Sequence, residues 1–399
     1  MLVYGSGRNV SAKRRRCVES EPLLRGRVGL QLEALHNWVA AALAIEPATI
    51  SLTQIAGDAS PRRYFRVSRR RGATDIALPS GAPDSSGSNR IIEADTLIAA
   101  LSPGSENNDA FLAVQRLMST AGLRVPAQIA ADLTRGFFLM EDLGDALLSS
   151  QLEQRSVETW YPLALRELAK LTAISHRDAR LPLMNAARIK EELSVFPEWF
   201  LRGLLGLSDA EIPIAMLDSL ATYLAEAFSA QTQCVVHRDF HCRNLMCLPD
   251  GGVGVIDFQD AVIGPVTYDA VSLLKDCYVL WHRQDQLRWL EQYRQQLARN
   301  ELAVGNPRTF QDGFDMCGLQ RHLRVLGVFA RLHLRDGKPA YLDDLPRVWH
   351  YIREVLAQYQ NIPTLRDFSG WLDDAVMPVI TKQPWYKDLK APKPLAGDP

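Results

Sequence analysis

Residues 235–258 read VVHRDFHCRNLMCLPDGGVGVIDF. Val235 and Val236 form a short apolar run that leads into a polar loop, residues 237–244. Residues 245–248 are predicted to be a strand, and Pro249-Asp250-Gly251-Gly252 supplies turn chemistry. Residues 253–256 return as a second strand that Asp257 closes. Antiparallel strands set the start of one beside the end of the other. Asn244 opens the first strand and Asp257 ends the second, so both side chains reach one point. Asp239 lies on the loop five residues before Asn244. An amide oxygen and two carboxylates therefore converge at one end of a hairpin. This oxygen-rich set suits Mg²⁺ with bound phosphates, because Mg²⁺ takes few protein ligands and many phosphate or water oxygens. Asp239 is then left to accept a proton.

A second tripeptide, His176-Arg177-Asp178, shows that the spacing carries the signal. Leu183, not Asn, stands five residues after Asp178, and no hairpin with a closing Asp follows. It is expected to be a helix-end turn.

Outward from the hairpin, the chain changes character near residue 143. Before it, a helix is predicted over residues 30–44, and strands over 50–55 and 62–67. The small-residue tip Gly57-Asp58-Ala59-Ser60-Pro61 joins those two strands. Residues 68–95 are rich in Gly, Ser, Pro and Arg and read as a surface insertion. A strand over 97–101, an amphipathic helix over 109–121 and strands over 125–130 and 137–140 complete this β-rich part. After residue 150, helical periods dominate: 157–174, 188–205, 213–230, 267–282, 285–299, 314–335 and 346–359. The expected organisation is a disordered extension over 1–29, an N-lobe over 30–143, a C-lobe over 144–362 and a C-terminal tail over 363–399. The fold class is α+β, with a small β-rich lobe and a large, mainly helical one.

Composition narrows the function. Of the 399 residues, 45 are Lys or Arg and 46 are Asp or Glu, which disfavours a nucleic-acid binder. No apolar run nears the ~18 residues of a membrane span. The basic run at 13–16 lacks the apolar stretch of a signal peptide. Six cysteines without a C-x-x-C pair fit a reduced, cytoplasmic chain rather than a disulfide scaffold. His237, His241, Cys242 and Cys247 match no common zinc spacing. The sequence sets no oligomeric state, and a monomer is the expectation.

The loop H-x-D-x-x-x-x-N followed by a metal-binding Asp is the phosphoryl-transfer set of the protein-kinase-like fold. Over residues 30–360 the chain resembles the aminoglycoside phosphotransferase family of bilobal small-molecule kinases. Within that family it is most similar to the bacterial anomeric N-acetylmuramate/N-acetylglucosamine kinases of cell-wall recycling. The stretches that carry the resemblance are GDASPRRYFR (57–66), FFLMEDLGD (137–145), VVHRDFHCRNLM (235–246), GVIDFQDAVIGPVTYDAVSLLKDCYVLW (254–281) and LQRHLRVLGVFARL (319–332).

The resemblance implies ATP and Mg²⁺ as cofactors and a small sugar as acceptor. It makes Asp239 the base and gives Mg²⁺ to Asn244 and Asp257. It places Gly57, Asp58, Ala59 and Ser60 over the ATP phosphates, and makes Glu141, Asp142 and Leu143 the adenine hinge. Asp269 would brace the catalytic loop. For the sugar, His241, Gln259 and Asp260 are the candidates, with Trp199 and Trp281 beside them.

One departure stands out. Only 9 of the 45 positive residues are lysines, and none lies between Lys13 and Lys170. Kinase-like folds usually place a phosphate-gripping Lys on the third strand, here residues 97–101. Arg62, Arg63 and Arg66 are the candidate replacements, since a guanidinium holds phosphate in a fork. Glu106 is a candidate for the acid that partners such a cation. Two other readings stay open: a kinase for aminoglycosides, choline or homoserine, and a kinase-like module without activity.

Overall fold

The computed structural model describes residues 21–55, 61–69, 96–175 and 179–395. The loop at Gly57–Ser60, residues 70–95 of the insertion expected over 68–95, and the tripeptide 176–178 lie outside the described residues; residues 68 and 69 are strand, not insertion. The chain divides into two units. One comprises residues 1–108 and 127–142, the other residues 109–126 and 143–399.

The first unit contains helix α1 (Glu21–Ala42) and five strands: β1 (Ile50–Gln54), β2 (Arg63–Arg69), β3 (Thr96–Leu101), β4 (Gln128–Asp132) and β5 (Phe137–Glu141). The sheet order is β1-β2-β3-β5-β4 and every pairing is antiparallel. Alternation sorts the faces. Phe65, Val67, Leu97, Ala99, Leu101, Phe137 and Leu139 turn to one side, where Leu35, Val39 and Leu43 of the α1 region cover them. These three recur at i, i+4 and i+8, one stripe of a helix. Arg66, Ile98 and Met140 are in register on the other face. Residues 21–29 belong to α1, so they are helix rather than extension. Strand β4 starts at Gln128, later than the predicted 125, because Pro126 has no N–H to give a ladder.

The second unit opens with α2 (Asn108–Thr120), of which residue 109 onward belongs here. Then follow α3 (Val157–Leu171), α4 (Ala186–Leu193), a π-helical segment (Phe196–Leu204) and α5 (Ile214–Ser229). Strands β6 (Gln233–Val236), β7 (Leu245–Cys247), β8 (Val253–Val255) and β9 (Val262–Pro265) come next. The helices α6 (Tyr268–Leu274), α7 (Arg283–Arg299), α8 (Pro307–Leu334), α9 (Leu345–Gln358), α10 (Pro363–Trp371) and α11 (Met377–Ile380) complete it. The predicted hairpin is the antiparallel pair β7–β8, and β6 pairs with β9.

Three helices differ from their predicted spans for local reasons. The expected helix over 188–205 is two pieces, because Pro197 cannot continue the hydrogen-bond ladder of α4. The expected helix over 267–282 ends at Leu274, because Asp276 turns its carboxylate onto the Tyr278 N–H at 3.0 Å. Helix α8 begins about two turns before the predicted 314, because the Asn306 side chain caps the Thr309 N–H at 2.9 Å and Pro307 fills the first helical position. The segment expected as a tail from residue 363 is largely packed helix. Leu365, Phe368, Leu372, Val376 and Ile380 are fully buried and recur at helical spacing.

Helix α8 is the axis of this unit. Gly327 lies where it meets the start of the π-helical segment, and a methyl group there would collide with the Val195 backbone. Backbone cannot yield as a flexible side chain does. Gly327→Ala is therefore expected to lower unfolding stability by about 1–3 kcal/mol, the usual cost of overpacking, measured by urea denaturation.

Candidate active site

The site is built on one backbone irregularity. Strand β6 ends at Val236, and Arg238 takes a φ of 76°, in the left-handed region that L-residues avoid. The surroundings hold it there. Its N–H donates to Asp269 at 2.9 Å and its carbonyl accepts from Arg321 Nη1 at 2.7 Å. Ser272 adds a hydrogen bond to the same carbonyl at 3.3 Å, and the Arg238 guanidinium donates to Glu192 at 2.7 Å. The turn carries the next side chain, Asp239, out of the buried β6 layer.

Asp269 grips two residues at once, accepting the His237 N–H at 2.6 Å as well as that of Arg238. It sits in the first turn of α6, so the following helix braces the loop as expected. Burial pushes its carboxyl up to about 7, against the pull of the His237 N–H, Arg321 and the Arg238 N–H.

His237 ties the loop to the hairpin. Its Nε2–H donates to the Ile256 carbonyl at 3.0 Å, and its Nδ1 accepts the Asp239 N–H at 3.3 Å. Both bonds require the neutral ring with the proton on Nε2. Burial lowers its pKa and favours that form. Farther along, the Cys242 N–H donates to Asp276 at 2.9 Å, which anchors the loop's other end.

Asn244 lies between the Asp239 backbone and the Asp257 side chain at the end of the hairpin. The Asn244 amide donates to the Asp239 carbonyl at 3.0 Å and lies 3.4 Å from an Asp257 carboxylate oxygen. The Ile256 N–H donates to the Asn244 carbonyl at 3.0 Å, closing the hairpin end between them. Asp257 also has a left-handed backbone, φ 63°, and an exposed carboxylate. The Asn244 nitrogen is engaged by the Asp239 carbonyl and lies toward Asp257, which leaves the Asn244 amide oxygen and the exposed Asp257 carboxylate as hard oxygen donors of the kind a divalent cation takes, with phosphate or water as its other ligands.

Burial raises the Asp239 pKa, but Arg321, His241, Arg324 and Arg238 outweigh it and hold the carboxyl well below the usual range. Arg321 makes the direct contact, Nη2 to Oδ1 at 3.3 Å. Asp239 is thus an ionised carboxylate at neutral pH, aligned by the cation that also holds the carbonyl before it.

The remaining candidates divide. Gln259 donates to Asp257 at 2.8 Å, so its nitrogen serves the carboxylate. His241 packs edge-on against Tyr278, and its Nδ1 is buried with no hydrogen-bond partner among the described residues. Asp260 is exposed. Trp199 is half-buried on the π-helical segment. Trp281 belongs to the core, donating to Tyr161 at 2.8 Å and packing on Trp289.

In the first unit, Glu141 closes β5 and its carboxylate accepts the Ala127 N–H at 3.2 Å. Asp142 is held by Arg66 at 2.6 Å and by Thr96 at 2.7 Å. Leu143, already in the second unit, packs on Met246 and Leu248 of the hairpin. Among the arginines weighed as lysine replacements, Arg66 is on Asp142 and Arg63 donates to Gln54 at 3.1 Å. Arg62 is buried, donating to Ser102 at 3.1 Å and pairing with Glu106 at 3.4 Å. The acid thus sits in the bend before α2, not on a helix.

Arg321, Asp276, Glu192 and Ser272 escaped the sequence reading. Arg321 had a signal: a charged residue within the apolar stretch LQRHLRVLGVFARL, on a helix face that packing buries.

A five-stranded antiparallel sheet unit, and a helical unit whose loop and hairpin gather Asp239, Asn244 and Asp257, define a kinase-like fold. The profile of the phosphotransferase enzyme family (APH) matches residues 51–308. The chain is 36% identical to the N-acetylmuramate/N-acetylglucosamine kinase of Pseudomonas putida over 323 residues, 81% of this chain and 88% of that one. It is 33% identical to the enzyme of the same name from Neisseria meningitidis serogroup B, over 79% of this chain and 88% of that one. Among solved structures, a choline kinase from Cryptosporidium parvum shares the fold with a TM-score of 0.55 at 12% identity, covering 86% of this chain and 100% of that one. The chain belongs to the phosphotransferase enzyme family and is an enzyme of that class.

The position of Arg321 fixes a pH dependence. Removing its charge lets burial act on Asp239 with less opposition, which raises the carboxyl pKa. Arg321→Gln is expected to shift the acidic limb of the kcat/KM profile to higher pH than in the wild type, read from initial rates between pH 4 and pH 9.

Proposed function

We propose that the protein is an ATP-dependent kinase that phosphorylates the anomeric hydroxyl of N-acetylmuramate and/or N-acetylglucosamine, as part of peptidoglycan recycling. The observation that carries this reading is the similarity to kinases of that name across about four-fifths of the chain and 88% of theirs. The convergence of Asp239, Asn244 and Asp257 supplies the chemistry.

When bound, MgATP supplies the transferable phosphoryl group and the charge that neutralises its oxygens. Asn244 and Asp257 are the residues that would hold the Mg²⁺. The loop at Gly57, Asp58, Ala59 and Ser60 would cover the phosphates, and Glu141, Asp142 and Leu143 would receive the adenine. In place of the third-strand lysine we assign Arg62, since it is a buried cation paired with a carboxylate, Glu106.

Asp239 accepts a hydrogen bond from the sugar's anomeric hydroxyl and orients its oxygen for in-line attack. A carboxylate so strongly stabilised as an anion is a weak base. That suits a loose transition state, where positioning dominates and the proton leaves late. Arg321 keeps the carboxylate ionised, and Asp269 keeps the loop in place. His241, Gln259 and Asp260 remain the acceptor-side candidates from the loop and the segment after β8. Five described cysteines are buried thiols without disulfides, which supports a cytoplasmic setting, and no described helix is long and apolar enough to cross a membrane.

ADP release is expected with either amino sugar, with phosphorus NMR placing the new phosphate on C1. Release with choline or an aminoglycoside and with neither sugar would contradict the assignment. Asp239→Asn is expected to lower kcat by about 10²–10⁴-fold while nucleotide binding persists, measured by steady-state kinetics and calorimetry. Unchanged turnover would remove Asp239 from the mechanism.

A further inference from the structure

Beside the catalytic loop, within the second unit, an open cavity of roughly 620 Å³ lies between α4 and α8. Its lining includes Arg188, Glu192, Val195, Arg324, Val328 and Arg331. Its charge is unusual. Glu192 is answered by Arg188 at 3.2 Å and by Arg238 at 2.7 Å, a residue that is not part of the lining. Arg324 lies farther from Glu192, at 3.8 Å, and makes no hydrogen bond among the described residues. The Arg331 Nε is buried with no hydrogen-bond partner among them. Two lining guanidiniums thus keep donors that no described residue uses.

Helix periodicity relates this cavity to Asp239. Arg321, which holds Asp239, and Arg324 are three residues apart, on adjoining positions of one face about 4.5 Å along the axis of α8. Val328 and Arg331 continue that face. Side chains on a helix lean toward its N-terminus, so Arg331 leans back toward Arg324. A ligand whose hydroxyl sits at Asp239 would therefore meet Arg324 about one sugar ring away, with Arg331 roughly 10 Å farther along the helix axis and Val195 and Val328 offering apolar surface beside them.

The two sugars of the proposed function differ in one respect. N-acetylmuramate carries a lactyl ether on O3, which ends in a carboxylate and bears a methyl group. N-acetylglucosamine has a hydroxyl there. We propose that this cavity is the subsite for the carboxylate-bearing O3 substituent of the acceptor, with Arg324 as its principal carboxylate partner and Arg331 as the second cation. A guanidinium fork matches a carboxylate in two parallel hydrogen bonds, and the valines suit the methyl group. Arg324 is then a specificity-determining residue that separates the acidic sugar from the neutral one. The inference rests on the amino-sugar reading above.

The test compares three acceptors, N-acetylmuramate, its neutral carboxamide and N-acetylglucosamine, in the wild type and in Arg324→Gln. The wild type is expected to favour the acid over its carboxamide by about tenfold or more in kcat/KM, mainly through KM, as a charge-assisted bidentate pair would give. In Arg324→Gln that preference is expected to collapse, and Arg324→Lys should restore part of it. Arg331→Gln should reduce it less, and it replaces the first variant if that one does not fold. Equal rates for acid and carboxamide in the wild type would overturn the subsite, as would an equal loss on both in Arg324→Gln. Turnover of N-acetylglucosamine without turnover of the acid would also overturn it and leave the amino-sugar reading standing. No turnover of any of the three would overturn that reading itself.

Discussion

A single left-handed residue, Arg238, sets the geometry on which the site depends. An L-residue with φ near 76° costs roughly 1–3 kcal/mol, so it persists only where the surroundings over-determine it. Here both of its backbone polar groups are taken. Asp269 holds the N–H, and Arg321 with Ser272 holds the carbonyl. Removal of any one partner leaves a buried polar group unsatisfied, at about 1–3 kcal/mol. The turn is thereby locked, and Asp239 is presented from a rigid base rather than from a mobile loop.

The same arginine joins structure to electrostatics. Arg321 stabilises the Arg238 carbonyl through one nitrogen and the Asp239 carboxylate through another. Burial alone would raise the Asp239 pKa, and the cations around it reverse the sign. Helix α8 carries Arg321, Arg324 and Arg331 on one face, so one element sets the ionisation of the proposed base and lines the cavity beside it. Gly327, on that helix, permits the close approach of the segment at Val195 that bounds the same cavity.

Much of this was legible in the sequence, and the parts that were not share a cause. The spacing from Asp239 to Asn244 to Asp257 depends on a hairpin of local register, so it could be read directly. Alternation marked the return strand at 62–67, and the strands expected over 50–55, 97–101 and 137–140 lie within a residue of those observed. What escaped was set by distant partners. Asp276, whose one carboxylate oxygen takes the nearby Tyr278 N–H, serves with the other Cys242, 34 residues away in sequence. Arg321 is 82 residues from Asp239 and looked like one more basic residue in a helical stretch. The packed helices after residue 363 were hidden by the Lys- and Pro-rich residues that follow them. The missing third-strand lysine was visible as a gap in composition. Arg62 was already among the candidates for its replacement and Glu106 for the partner acid, and it took the fold to single them out, since it pairs the buried Arg62 with the half-buried Glu106 beside Ser102.

The central claim is that Asp239, fixed by this clamp, faces the anomeric oxygen of an amino sugar. A crystal structure with ADP, Mg²⁺ and N-acetylglucosamine measures that distance directly. The account predicts the anomeric oxygen within hydrogen-bond reach of the Asp239 carboxylate, about 2.6–3.2 Å. A sugar bound with its C3 or C6 hydroxyl at Asp239, or bound away from that carboxylate, would contradict it.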